Sequence, residues 1–164
     1  MLFGFNVAPT EVSHVPKLLF RNQPARHLAH EGKLPLLVPK VKAVAHHALR
    51  SKCINTPGVY IHAVGGIETH VHLCLSMPPT LTISEFVGQL KGYSSLEVNQ
   101  KLGAKVLEWQ TGYGVVSFGT GDLPWVKAYV LNQRDRHSTG KIVDRLERIT
   151  EVEERAEAES REAP

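Results

Sequence analysis

The chain has 164 residues, of which 42% are hydrophobic and 21% are charged. These values are typical of one soluble globular domain and exclude a disordered or fibrous protein. No apolar run reaches the ~18 residues of a membrane-spanning helix, and two cysteines are too few for a disulfide framework. The amino-terminal stretch has no basic residue ahead of its apolar residues, which argues against a secretory signal. We therefore expect a cytoplasmic protein.

The charge is unevenly distributed along the chain. The net charge is +3, but residues 143–164 contain eight acidic and four basic residues, which leaves residues 1–142 with a net charge of +7. A basic body favours a polyanionic partner, because lysines and arginines that neutralise phosphates release counterions. A merely soluble basic domain remains the alternative at this point.

The first half of the chain predicts a helix between strands. Residues 1–37 are irregular because prolines interrupt them, and only Val15–Phe20 resembles a strand. Apolar residues at helical spacing predict a helix over Pro39–Cys53. The pair Gly65-Gly66 is typical of a two-residue hairpin turn. The strands that it joins are predicted over Val59–Val64 and Ile67–Leu75.

The second half predicts two further helices around one strand. Thr82 and Glu85 have the spacing of a capping box, which predicts that a helix begins there. The later elements are a strand over Tyr113–Phe118 and a helix from Asp122 to about His137. This order predicts an α+β, ferredoxin-like split βαβ fold, an antiparallel sheet with helices on one face, plus the late helix that carries Tyr129.

Two histidines lie on one predicted strand. Alternate strand residues share a face, so His70 and His72 point the same way with Cα atoms roughly 6.6 Å apart. Their imidazoles can converge on one metal ion. Two surface histidines without a metal are the commoner explanation of such a pair, and the alternative stays open on this spacing alone.

The late helix presents a tyrosine and an amide on one face. Tyr129 and Gln133 are four residues apart and therefore lie one turn from each other. Val126 and Val130 lie on an adjacent face and can anchor the helix to the sheet. Taken singly, Tyr129 is also consistent with a half-buried aromatic residue and Gln133 with a solvated amide.

Four motifs occur in one order along the chain: H-V-H, Q-L-K-G-Y-S-S, W-Q-T-G-Y-G and A-Y-V-L-N-Q-R-D-R-H. Together they resemble the HUH single-tyrosine transposases of small insertion sequences and the related REP-associated tyrosine transposases. The resemblance covers about residues 58–137 and extends loosely back to about residue 36. Residues 1–37 depart from the family pattern.

The resemblance implies a role for each matching residue. It makes Tyr129 the nucleophile and His70, His72 and Gln133 the ligands of Mg²⁺ or Mn²⁺, although imidazole also suits zinc. It implies a transposase domain over residues 1–140 and a charged helical or disordered tail over residues 141–164. The residues expected to contact DNA are Lys91, Ser94, Ser95, Arg134 and Arg136.

The implied reaction nicks and rejoins single-stranded DNA at hairpin-marked ends through a 5′-phosphotyrosine. The implied partners are single-stranded or hairpin DNA and no membrane, with a possible homodimer whose tyrosine helix acts in trans. An open sheet face offers Tyr93, Trp109 and Tyr113 for base stacking. Core packing of Trp109 and Tyr113 is an equally good interpretation.

Two other classes of protein remain open on the sequence. One is a domesticated or decayed relative that binds hairpin DNA without transposing it. The other is an unrelated metal-dependent hydrolase, for which Glu68 is the nearest carboxylate to the histidine pair. The spacing of Tyr129 and Gln133 favours the active transposase and the decayed relative over the hydrolase.

Overall fold

The structure, a computed structural model, describes residues 15–24 and 37–148. Most predictions for residues 1–37 and for the end of the acidic tail lie outside the described residues. The four strands are β1 (Lys17–Asn22), β2 (Tyr60–Gly66), β3 (Val71–Ser76) and β4 (Gly114–Phe118). The helices are α1 (Pro39–Ile54), α2 (Ile83–Leu102), α3 (Leu123–Leu131), α4 (Gln133–Ser138) and α5 (Asp144–Glu147), with a 3₁₀ turn over Thr120–Asp122.

The strands form one antiparallel sheet in the order β2-β3-β1-β4. This order confirms the predicted ferredoxin-like fold. The strand predicted at Val15–Phe20 is the internal strand β1, which pairs with β3 on one side and β4 on the other. Pro16 immediately precedes β1, a position where its missing N–H removes no ladder hydrogen bond.

The two faces of the sheet carry two hydrophobic clusters. Helices α1 and α2 cover one face, where Phe20, Leu73 and Leu90 are buried together. Helix α3 packs on the opposite face, where Val126 and Val130 contact the cluster that includes Leu19 and Cys74. The predicted alternation of β3 is therefore confirmed. The face expected to be open is partly covered by α3.

Several local predictions are wrong. Gly65 and Gly66 belong to β2, and the hairpin turn follows them, with the Ile67 N–H donating to the His70 carbonyl at 3.1 Å. The third helix is broken at Asn132 into α3 and α4. The Thr82 hydroxyl donates to the Glu85 carboxylate rather than capping the backbone.

Two glycines let helical segments approach the sheet closely. A Cβ on Gly65 would lie 1.9 Å from the Val130 carbonyl oxygen, and a Cβ on Gly114 would lie 2.1 Å from the Arg148 carbonyl oxygen. Any side chain at these positions would therefore push α3, or the segment after α5, away from the sheet. In the described part of the chain, no helix combines the length and apolar character needed to cross a membrane.

Candidate functional site

The two histidines of the H-V-H motif lie together beneath α3 and α4. His70 and His72 are almost completely buried, with ring centroids 4.9 Å apart. The Nε2 atom of His70 lies 3.3 Å from Oε1 of Gln133, the first residue of α4. Neither ring nitrogen of His72 has a hydrogen-bond partner. The structure therefore brings the three predicted metal ligands into one region.

Tyr129 lies beside the histidines of its own chain. Its side chain is buried, and its ring centroid is 6.0 Å from that of His72. The Trp125 ring stacks on it at 5.7 Å, and the Arg136 guanidinium lies 4.7 Å from its centroid. A single chain thus contains both the tyrosine and the histidine pair.

A carboxylate that the sequence argument missed lies between the tyrosine and the histidines. The Tyr129 hydroxyl donates to Glu147 Oε1 at 2.6 Å and accepts from the Val143 N–H at 3.2 Å. Glu147 Oε1 lies 3.3 Å from His72 Nε2, and Glu147 Oε2 lies 3.5 Å from His70 Nε2. The segment assigned to a charged tail therefore supplies a functional group to the site.

Arg21 of β1 completes the group of charges. Its Nε donates to Glu147 Oε2 at 3.1 Å, and its Nη2 lies 3.4 Å from His70 Nδ1. Arg21 is the antiparallel partner of His72 in the register, which explains why both side chains reach the same place. We refer to His70, His72, Tyr129, Gln133, Glu147 and Arg21 as the central cluster.

Burial decides the protonation of the two imidazoles. It lowers the pKa of His70 to about 3, assisted by the neighbouring His72 and Arg21. Burial also lowers the pKa of His72, against the opposing effect of Glu147. Both rings are therefore neutral near pH 7, which is the form that binds metals.

The pKa values of the two oxygen acids, Tyr129 and Glu147, are shifted in opposite directions. Burial raises the pKa of the Tyr129 phenol, and the hydrogen bond to Glu147 raises it further. Burial alone would also raise the pKa of Glu147, but interaction with His72 and the hydrogen bond from Tyr129 hold it well below its usual range. The site thus pairs a protonated phenol with an ionised carboxylate.

The central cluster fits a divalent cation. Ligand atoms of His70, His72 and Glu147 lie within 4.8 Å of one another. Two neutral imidazoles and a carboxylate form a donor set suited to first-row divalent metals, and carboxylate and amide oxygens also suit magnesium. A metal would also satisfy the buried His72 Nε2, which faces Glu147 Oε1 at 3.3 Å but makes no hydrogen bond of good geometry with it.

The three residues on α2 predicted to contact DNA form hydrogen bonds within the fold. The Lys91 ammonium donates to the carbonyls of Gln110, Thr111 and Gly112 at 2.7, 2.7 and 3.0 Å. The Ser94 hydroxyl is fully buried and bonded within α2, which leaves it no surface for DNA. The Ser95 hydroxyl donates to the Lys91 carbonyl at 2.8 Å.

The remaining predictions divide between surface and core. Arg134 forms an exposed ion pair with Glu68. Arg136 instead lies against Tyr129. Trp109 is buried and donates to Ser94 Oγ at 2.9 Å. Tyr113 packs against the core cluster of α1 and α2. These contacts favour core packing over base stacking for Trp109, whereas Tyr113 is only partly buried.

The sequence resembles known transposases. The family described as Transposase IS200 like matches residues 33–133. The transposases for insertion sequence element IS200 of Salmonella typhimurium and Salmonella typhi are each 30% identical to the chain over 78 residues, or 44% of this chain and 51% of each relative. The chain thus spans about half the length of these relatives.

Two solved structures share the fold. A REP-associated tyrosine transposase bound to a REP hairpin has a TM-score of 0.54 and 16% identity, covering 74% of this chain and 68% of that chain. A candidate transposase from Deinococcus radiodurans R1 has a TM-score of 0.51 and 19% identity, covering 81% and 98%.

Fold and site together define a ferredoxin-like domain with paired strand histidines and a helical tyrosine. The family match extends over more than half of the sequence. The chain belongs to the IS200-like transposase family.

Proposed function

We propose that this protein is a transposase that nicks and rejoins single-stranded DNA through a 5′-phosphotyrosine on Tyr129. The observation that carries the proposal is the convergence of Tyr129 and the neutral pair His70 and His72 within one chain. A buried nucleophile beside ligands for a divalent cation is the arrangement that phosphodiester transfer requires.

The proposed reaction is two phosphoryl transfers. The Tyr129 oxygen attacks the scissile phosphorus, the bond from phosphorus to the 3′-oxygen breaks, and that oxygen takes up a proton. Glu147 is placed to accept the phenolic proton, since its Oε1 lies 2.6 Å from the hydroxyl. Attack by a 3′-hydroxyl on the phosphotyrosine then restores a phosphodiester without consuming ATP.

His70, His72 and Gln133, with Glu147 as a further donor, would hold Mg²⁺ or Mn²⁺. When bound, such an ion withdraws electron density from the scissile phosphate and offsets its negative charge. Arg21 donates a hydrogen bond to Glu147 and adds a positive charge to the site. Its guanidinium would contact a phosphate oxygen. Arg136 is placed to contact a second phosphate, since its guanidinium lies against Tyr129.

The proposed substrate is DNA with a hairpin next to the cleaved strand, and the proposed place of action is the cytoplasm. Support comes from the net charge of +7 over residues 1–142 and from the REP hairpin bound by the similar structure. We propose that Tyr129 acts in cis. Action in trans in a homodimer would require α3 to leave the cluster in which Val126 and Val130 are buried.

The alternative is a relative that binds hairpin DNA without cutting it. It is favoured by the engagement of the Tyr129 hydroxyl with both Glu147 and the Val143 N–H. The two functions share DNA binding and differ in covalent chemistry. They are therefore separated by an assay for the covalent bond.

The test uses radiolabelled hairpin oligonucleotides with single-stranded flanks, incubated with the protein and Mn²⁺ or Mg²⁺. We expect an adduct that survives denaturation, disappears with EDTA and is absent in His72→Ala, with thermal melting showing that this variant folds. His47→Ala, an exposed histidine on α1, is the matched control and should form adduct like the parent. Hairpin binding without adduct under every condition would support the binding-only alternative and contradict the proposed chemistry.

A further inference from the structure

Trp125 is an exposed aromatic residue directly beside the proposed nucleophile. It lies one helical turn before Tyr129 on α3, and 48% of its surface is exposed. Its ring stacks on the Tyr129 ring with an angle of 30° between the planes. Leaving much of an indole in water forgoes apolar burial, which an incoming planar group would restore.

Arg136 adds an unused hydrogen-bond donor beside the same ring. Its guanidinium lies 4.7 Å from the Tyr129 centroid, and its buried Nε has no hydrogen-bond partner. Sites for single-stranded nucleic acid combine aromatic surfaces that stack bases with cations that contact the backbone. Trp125 and Arg136 place both components around Tyr129.

We propose that Trp125 stacks on the nucleobase adjoining the phosphate that Tyr129 attacks, so that it positions the strand for cleavage. The inference rests on the proposed function, because it takes Tyr129 as the attacking group. One helical turn is about 5.4 Å, so a base within one nucleotide of the scissile phosphorus can reach this ring. Stacking accepts any base, which suits a contact that orients the strand rather than reading its sequence.

The chain contains an internal control for this proposal. Its two tryptophans are Trp109 and Trp125. Trp109 is 8% exposed, and its Nε1–H donates to Ser94 Oγ in the core against α2. A nucleobase that stacks on Trp125 should quench its fluorescence and leave that of Trp109 unchanged.

The first measurement is intrinsic tryptophan fluorescence during titration with a hairpin oligonucleotide that carries thymidine flanks. Quenching is expected in the parent and in Trp109→Phe, and its loss is expected in Trp125→Phe. If Trp109→Phe does not fold, the difference between parent and Trp125→Phe gives the same information. Quenching that persists in Trp125→Phe would overturn the proposal.

The second measurement is affinity for the same oligonucleotide, followed by fluorescence anisotropy of a labelled end. Trp125→Ala should weaken binding by about 5- to 100-fold, as expected for the loss of one base–aromatic stack. Trp125→Phe keeps an aromatic ring and should stay within a few-fold of the parent. Equal affinities for the parent and for a folded Trp125→Ala variant would also overturn the proposal.

The adduct assay on the parent separates this inference from the proposed function. Adduct formation with no fluorescence response from Trp125 would contradict the stacking proposal and leave the chemistry intact. Quenching of Trp125 without any adduct would contradict the chemistry and support the stacking surface.

Discussion

At the scale of single residues, Glu147 changes the interpretation of the site. The sequence pointed to two histidines and an amide, whereas the structure adds a carboxylate that contacts Tyr129, His72 and Arg21. A carboxylate contributes a full negative charge to a site that also holds the Arg21 cation. It therefore bears directly on how strongly the site binds a divalent ion.

Glu147→Gln should weaken Mn²⁺ binding, because the amide keeps the shape of the side chain but loses its charge. We expect the dissociation constant from calorimetric titration to rise by roughly 10-fold or more. Glu97→Gln on α2, on the other side of the sheet, is the control and should bind Mn²⁺ like the parent. Unchanged or tighter binding in Glu147→Gln would show that the carboxylate is not a ligand.

At the scale of elements, the position of the tyrosine helix depends on a glycine in the neighbouring strand. Helix α3 lies so close to β2 that a Cβ on Gly65 would overlap the Val130 carbonyl oxygen. The obstacle is backbone, which cannot rotate away as a side-chain end can. Tyr129 directly precedes Val130, so any shift of α3 displaces the proposed nucleophile.

Gly65→Ala should destabilise the fold by about 1–3 kcal/mol, the usual range for overpacking. It should also slow adduct formation, because Tyr129 moves relative to His72. The control is Gly88→Ala in α2, where a Cβ meets open space and alanine favours the helix. Urea unfolding and the adduct rate measure both effects, and a Gly65→Ala protein as stable and active as the parent would refute the close contact.

Local sequence patterns predicted four residues of the candidate site but missed Glu147. Strand and helix periodicity place His70 with His72 and Tyr129 with Gln133 on shared faces, and the resemblance to the HUH transposases implies their roles. Glu147 was missed because it lies in a charged run 77 residues after His70 in sequence. A weak signal exists in the apolar residues Val143 and Leu146, of which Leu146 is buried in the cluster beneath α3.

At the scale of the whole molecule, the order of elements predicted the sheet but did not predict that a helix covers its second face. Strand order follows from the split βαβ pattern. The sequence predicted that Val126 and Val130 anchor the helix to the sheet, but the face on which α3 packs and its close contact at Gly65 are visible only in the tertiary structure. Trp109, one of the aromatic residues expected on an open face, is consequently buried, whereas Trp125 on α3 is 48% exposed.

The central claim, that Tyr129 is the nucleophile, is tested most directly by Tyr129→Phe. This change removes one oxygen and keeps the ring that packs against Trp125 and His72. Tyr60→Phe and Tyr113→Phe are matched controls that remove a phenol elsewhere. Hairpin affinity should stay within a few-fold of the parent in all three variants, since phosphate and stacking contacts supply the binding.

The measurement is the denaturation-resistant adduct between protein and labelled hairpin DNA in the presence of Mn²⁺. The account predicts that adduct and strand cleavage both disappear in Tyr129→Phe and persist in Tyr60→Phe and Tyr113→Phe. A Tyr129→Phe protein that still becomes covalently linked to the 5′-phosphate would contradict the account.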